Sequence, residues 1–332
     1  MLLAARLAVQ EVNDSRMLGG RILALDSLDD SASTGRAILV AQRLRDDPRV
    51  RAVIGHLTSG PTLAAADIYN SVTPVVELSP SASSPDLSGK GPYTFRVCAT
   101  DLVHGGVLAR FAQQQLNARY AAIIYLNDDY GRGILGTFRE EFTKLGGTIV
   151  SADPVMPTTI ADLGPYLDRI QRDGRAQVLM IAGDRATGVA VLRQARARGM
   201  TQPLIGGDAL TGIQSEGVLA EGVHITSNYL PDKPGDANAK FLRAYAAISG
   251  GEQPDHRGAG AYDAVHLIAE AIRDGGSSRK AIRDALARIG QGRPAYDGVT
   301  GRVTFDANGD VPNKSVLVGV VRGGRIVLAG TP

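Results

Sequence analysis

The feature that most constrains this chain is a repeated alternation of short, unbroken Val/Ile/Leu runs with longer helical stretches. YAAIIYL at 120–126 and QVLMIAG at 177–183 hold long stretches of successive apolar residues, and VRAVIG at 50–55 and TPVVELS at 73–79 hold shorter ones, AVI and PVV. They do not alternate apolar with polar. A strand buried on one face only would alternate, so these runs belong to parallel sheets covered by helices on both faces. The expected class is α/β.

The spacing predicts a helix from the first residue, a strand at 21–30 (RILALDSLDD) and a capped helix at 31–47. After the strand at 50–55 comes a helix at 60–70 with Pro61 in its first turn. A Ser/Pro/Gly loop follows the strand at 73–79 and leads to a short strand ending near Val97. A second series then begins, with helices near 101–116, 131–146, 162–174 and 186–199 between strands at 120–126, 147–155 and 177–183. Helices near 237–248, 258–274 and 277–289 return to cover the first lobe. In the tail, the turn signals Asp297-Gly298 and Asn308-Gly309, with SVLVGVV and RIVLAG, predict a small antiparallel element.

At 332 residues with 44% apolar composition, two lobes are expected rather than one. The 36 basic and 34 acidic residues are mixed along the chain, giving a formal charge of +2 without the basic stripe that nucleic-acid binding requires. Aromatic residues make up 5% and Trp is absent, which leaves few stacking platforms. Cys98 is the only cysteine, so an internal disulfide and a cysteine-built metal site are excluded. The longest apolar runs are far too short to span a bilayer. The opening MLLAARLAVQEVNDSR makes a poor secretory signal, since Arg6 and Glu11 interrupt it and Leu2, Ala5, Val9 and Val12 share one helical face.

In open parallel sheets, ligands sit beyond the carboxyl ends of the strands. Four loops of that kind carry chemistry. Residues 57–61 (LTSGP) and 79–84 (SPSASS) offer hydroxyls and backbone N–H groups, suited to a carboxylate. Residues 127–131 (NDDYG) and 206–209 (GGDA) offer carboxylates and a phenol, suited to an ammonium and a lid. Together they suit a zwitterion. Each has a plainer reading: Ser59 as an N-cap, Ser81, Ser83 and Ser84 as a solvated turn, and Asp208 as a turn residue after two glycines.

Catalytic readings are weaker. His56, Ser59 and Asp67 lie close in sequence, yet no G-x-S-x-G elbow accompanies them. No G-x-G-x-x-G follows a first strand and no G-x-x-x-x-G-K-[ST] occurs, so no nucleotide cofactor is expected. Asp306, Asn308 and Asp310 imitate the start of a calcium loop, but the next position is Val311, and Leu317 stands where the terminal carboxylate belongs, so a hairpin turn is expected. Arg193, Arg196 and Arg198 read as the solvated side of a helix.

The ordered set VIGHLTSGPTLAAADIYN, SPSASSPDL, NDDYGRG, LRQARARGM and IGGDAL resembles the branched-chain amino-acid-binding proteins of the type I periplasmic binding fold. The resemblance covers almost the whole chain. It implies two Rossmann-like lobes with parallel sheets joined by three crossovers, with lobes of 1–99 plus 230–298 and of 100–229 plus 299–332. It further implies a periplasmic or extracellular monomer that closes its cleft on an amino acid and delivers it to the permease of an ABC importer, with no catalysis and no cofactor.

By the same resemblance, Ser59 contacts the ligand carboxylate, and Ser81 and Ser83 bind carboxylate and amino groups. Tyr130 is the lid tyrosine, and Asp208 pairs with the α-ammonium. Asp184 departs from the pattern, standing where an aromatic residue is expected. Two readings of it stand: a second carboxylate at the pocket, favouring a polar or basic ligand side chain or a bound water, or a helix cap.

Family members also begin with a strand inside the first sheet, ahead of the helix that opens here at Met1. The expectation is a gap in that sheet and a sequence that is a piece of a longer chain or a misassigned frame. A ligand-sensing ectodomain of a receptor or kinase uses the same fold and is the alternative function. A Rossmann-like oxidoreductase is a third, lacking its phosphate fingerprint.

Overall fold

A computed structural model describes residues 1–156 and 160–329. The chain divides into two compact units, Met1–Thr100 with Lys233–Ser315 and Asp101–Asp232 with Val316–Pro332, so it passes from one to the other three times. Residues 299–315, expected in the second lobe, fall in the first. The reason is a buried carboxylate: Asp263, deep in the first unit, accepts hydrogen bonds from the backbone of Val299 and Thr300.

The first unit opens with α1 (Leu2–Asp14), α2 (Thr34–Asp46), β1 (Ala52–Ile54), α3 (Ser59–Tyr69), β2 (Val76–Ser79) and β3 (Thr94–Arg96). The three strands form a parallel sheet in the order β1-β2-β3. Helix α1 starts where the sequence places it, but its buried stripe is Ala4, Ala5, Leu7, Ala8 and Val12, while Leu2 is exposed. Ser33 caps α2, its hydroxyl accepting from Arg36 N–H.

The strand expected at 21–30 does not form. Among the described residues no strand pairs with this segment, and the main chain of Leu23 is instead held by the Asn13 side chain, whose Oδ1 accepts its N–H at 2.8 Å and whose Nδ2 donates to its carbonyl at 3.0 Å. Ile22 is 76% exposed, so apolar content without a pairing edge does not make a strand here.

The second unit begins with α4 (Asp101–Gln114), β4 (Tyr120–Leu126), α5 (Asp129–Lys144), β5 (Thr148–Val155), α6 (Gly164–Asp173), β6 (Val178–Ala182), α7 (Arg185–Ala197), β7 (Leu204–Gly206) and β8 (His224–Ser227). The chain then returns to the first unit with α8 (Asp236–Ser249), α9 (His256–Gly275), α10 (Arg279–Ala287) and the hairpin β9 (Tyr296–Gly298) and β10 (Gly301–Val303). The hairpin turn falls at Val299-Thr300, because Gly298 pairs with Gly301 across it and is itself a strand residue.

Finally β11 (Leu317–Arg322) pairs antiparallel with β8, and β12 (Arg325–Leu328) pairs antiparallel with β11. They extend the second unit's sheet, β12-β11-β8-β7-β6-β4-β5, rather than forming a separate element. Gly330, the last residue of the RIVLAG run, lies outside the described residues.

The second unit's sheet is buried on both faces, as its unbroken apolar strands require. Ile124, Leu179 and Ile181 pack on one side with Leu167, Val191 and Leu192. Ile123, Val178 and Met180 pack on the other with Leu108, Ile134 and Phe138. Gly131 allows α5 to start hard against β4, since a Cβ there would lie 2.0 Å from Leu126 O. Among the described residues, no helix is long and apolar enough to cross a membrane.

Candidate functional site

In the first unit the carboxyl ends of β1 and β2 carry the serine loops. Ser59 is the first residue of α3 rather than its N-cap; Thr58 holds the cap position and makes no side-chain cap bond. Ser59 is 3% exposed, and its hydroxyl accepts the N–H of Ser84 at 3.2 Å, tying the β1 loop to the β2 loop. A second tie runs from Ser79 Oγ to the His56 carbonyl at 2.6 Å. Ser79 Oγ also accepts the N–H of Ala82 at 3.0 Å. The 79–84 loop is therefore a built turn, not a solvated one.

Within it, Ser81 Oγ lies 3.3 Å from His256 Nε2, at the start of α9. Ser83 is 1% exposed, and its hydroxyl has no hydrogen-bond partner among the described residues. A buried hydroxyl left in that state costs stability unless something else completes it.

His56, Ser59 and Asp67 do not form a triad. His56 bonds to Asp30 through Nδ1 and to the Tyr69 hydroxyl through Nε2, while Asp67 is exposed. The calcium-like turn is also spoken for: Asp306 Oδ1 accepts the N–H groups of Asn308 and Asp310, and Asp310 pairs with buried Arg96 at 2.7 Å.

In the second unit, Tyr130 sits in the first turn of α5 and Asp208 follows β7. The Tyr130 hydroxyl donates to Asp208 Oδ1 at 3.3 Å and accepts the N–H of Ala209 at 3.5 Å. Asp208 is 2% exposed. Burial, with the negative charges of Asp208 and Asp101, drives the Tyr130 phenol well above its ordinary range, so it stays a hydroxyl donor. The two glycines before Asp208 are required: a Cβ at Gly207 would lie 2.0 Å from the Tyr130 hydroxyl, and one at Gly206 would lie 2.6 Å from Ile181 O. They let the loop close on the phenol.

Comparison with known proteins shows the family. The sequence profile of the periplasmic binding protein family matches residues 1–325. The chain belongs to this family. It is 25% identical over 309 residues to a Leu/Ile/Val-binding protein homolog of Brucella abortus, covering 92% of this chain and 81% of the relative.

Among solved structures it resembles an ABC transporter substrate-binding protein from Desulfitobacterium hafniense in complex with Leu. The TM-score is 0.86 with 29% identity, covering 99% of this chain and 95% of the other. It also resembles a branched-chain amino acid transporter substrate-binding protein from Streptococcus pneumoniae in complex with isoleucine, with TM-score 0.87 and 27% identity, covering 98% and 91%.

In this periplasmic binding protein the expected site residues separate into groups. Ser59, Ser81 and Ser83 share one loop cluster of the first unit, and Tyr130 is bonded to Asp208 in the second. Asp184 is an exposed N-cap of α7, its Oδ1 accepting the Thr187 N–H at 2.9 Å and hydroxyl at 2.8 Å. Its charge is felt by Asp128, the N-cap of α5, whose carboxyl is pushed up by burial and by the charge of Asp184. Arg193, Arg196 and Arg198 are not simply solvated: they bond to Glu216, the Met200 carbonyl and Asp168.

The sequence reading missed the groups behind Asp208. His104, fully buried on α4, places Nδ1 2.9 Å from Thr226 Oγ1 and Nε2 3.1 Å from Asn228 Nδ2 and 3.9 Å from Asp208 Oδ2. Asp101, one turn earlier, is also fully buried. The signal for both was available. Positions 101, 104, 105, 108, 109 and 112 share the buried face of α4, so a carboxylate and an imidazole stand on an otherwise apolar stripe.

Proposed function

We propose that this periplasmic binding protein captures an α-amino acid or closely related zwitterion and hands it to the permease of an ABC importer, working as a monomer and without catalysis. In this reading the serine cluster of the first unit takes the carboxylate, with Ser59, Ser81 and Ser83 as donors. Asp208 of the second unit takes the ammonium, with Tyr130 closing beside it. The observation that carries the reading is Asp208, a buried carboxylate held by a phenol donor at a strand end. Such a group gains most from a charge-assisted bond to an ammonium when water is excluded. The relatives that bind leucine and isoleucine support the same ligand class.

Asp184, whose carboxylate serves Thr187, acts as a helix cap in this account. The relatives then point to an aliphatic side chain.

A thermal-shift screen of the twenty amino acids tests the proposal. A ligand at about 100 times its Kd adds about 2.7 kcal/mol, which raises Tm by roughly 5–10 °C for domains of this size. Leucine, isoleucine or valine is expected to give that shift, Asp208→Ala to remove it, and Asp184→Ala to keep the ranking of ligands. If none of the twenty raises Tm, the amino-acid reading is wrong.

A further inference from the structure

Behind Asp208 stands a titratable group that the capture of an ammonium does not by itself need. His104 has no exposed surface, and its Nε2 lies 3.9 Å from Asp208 Oδ2. With the Asn228 amide nitrogen toward Nε2 at 3.1 Å, Nε2 is an acceptor, so the ring is neutral and its Nδ1–H donates to Thr226 Oγ1 at 2.9 Å. A second proton, on Nε2, turns the Asn228 amide over and sets a full positive charge beside the Asp208 carboxylate. That is the charge an incoming ammonium brings. Two cations cannot both gain from one buried carboxylate at this range.

We propose that His104 is a positioning residue that, once protonated in acid, competes with the ligand ammonium for Asp208, so that capture of an amino acid under those conditions is coupled to release of one proton from the imidazole to solvent. The inference rests on the reading of Asp208 as the ammonium acceptor.

The surroundings make His104 the group that can carry this exchange. Its own helix contributes Asp101, α5 contributes Tyr130, the loop after β7 contributes Asp208, and the partners on β8 and just after it, Thr226 and Asn228, are neutral; His224, also on β8, packs on Phe111 further along α4, its imidazole held low by burial. Tyr130 stays protonated throughout because its phenol is driven upward. Burial holds the His104 imidazole below its ordinary 6.5, with the charge of Asp208 opposing, so the proton enters only under acid conditions. The sign follows: at neutral pH the ring is uncharged and binding is unopposed, and below that range each ligand bound must expel a proton.

The test is leucine affinity by titration calorimetry on the full chain between about pH 5 and pH 8, in two buffers of different ionisation enthalpy. The expected result is a Kd that is flat near neutrality and rises toward tenfold per pH unit in acid, with proton release approaching one per leucine. His104→Gln, which keeps a neutral hydrogen-bonding side chain, is expected to lose both the slope and the proton release. His104→Gln with the natural slope would overturn the inference.

The imidazole resonances of the unaltered protein give a second readout that needs no variant. Leucine saturation should move the His104 titration midpoint to lower pH, and an unmoved midpoint would also overturn the inference. Asp208→Asn that binds leucine as tightly as the natural chain would instead overturn the reading of Asp208 on which the inference stands.

Discussion

Asp263 on α9 organises the end of the first unit, and its removal is a sharp test of how that unit is held. The carboxylate has no exposed surface. Oδ1 accepts the Val299 N–H at 2.9 Å, and Oδ2 accepts the Thr300 N–H at 2.9 Å and the Thr300 hydroxyl at 2.5 Å. Thr300 Oγ1 in turn accepts from Lys314 Nζ at 2.6 Å, and Lys314 is only 3% exposed. Gly298 lets the strand approach, since a Cβ there would lie 2.4 Å from Asp263 Oδ2.

Asp263→Ala strands two buried backbone N–H groups, at about 1–3 kcal/mol each, and takes from Lys314 its nearby negative charge. The expected loss is about 3–6 kcal/mol in urea unfolding, a large share of a domain's usual ~5–15 kcal/mol.

The pH dependence separates the two parts of that loss. Burial lowers the Lys314 ammonium to about 8, and the charge of Asp263 opposes the fall. With Asp263 gone the folded-state value drops further while the unfolded value stays near its usual ~10.4. The unfolded chain then binds more protons than the folded one, so the stability of the variant rises with pH more steeply than that of the natural protein. The deficit should therefore shrink as pH rises through about 8, where Lys314 of the natural protein loses its proton, and stay constant above that. A loss below about 1 kcal/mol would refute the bonding argument, and a deficit that does not change with pH would refute the role of Lys314.

Two further perturbations follow from the first unit. Glu77 is fully buried in β2 with its carboxyl driven well above the ordinary range by burial, and its Oε1 has no hydrogen-bond partner among the described residues. A raised folded-state value means that its contribution is present in acid and lost as pH rises. Glu77→Gln should therefore gain at least about 1 kcal/mol on the natural protein between about pH 4 and pH 8 in urea titrations, and a parallel pH profile would count against it. Gly260 on α9 faces the β2 loop so closely that a Cβ would lie 2.7 Å from Pro80 O. Gly260→Ala should cost about 1–2 kcal/mol despite its better helix propensity, and should weaken leucine binding by displacing Ser81 and Ser83; unchanged affinity in calorimetry would detach that loop from the site.

What could be read from the sequence, and what could not, divides along one physical line. Burial on two faces writes itself into composition, so the runs at 120–126 and 177–183 became β4 and β6 of a parallel sheet. Caps are equally local, and Asp128 and Asp184 each bond to the residue three further on. Pairing is not local. The segment 21–30 has apolar residues enough for a strand, yet its backbone ends on the Asn13 side chain because no neighbouring strand offers it a ladder. The turn at Val299-Thr300 likewise lies two residues beyond its Asp297-Gly298 signal, because Asp263, distant in sequence, decides where those N–H groups go.

The site obeys the same division. Loop chemistry pointed to Ser59, Ser81, Ser83, Tyr130 and Asp208 one loop at a time, and the bond between Tyr130 and Asp208 depends on a glycine, Gly207, whose necessity appears only when α5 and the β7 loop are seen together. His104 was the most hidden and the most legible at once. A polar residue on the buried face of α4 has to be satisfied from outside its own helix, and the partners it finds, Thr226 and Asn228, are the ones that bring it to Asp208. A buried imidazole on an apolar helical stripe is thus a pointer to a distant carboxylate or hydroxyl, and here the groups it points to surround the proposed ammonium site.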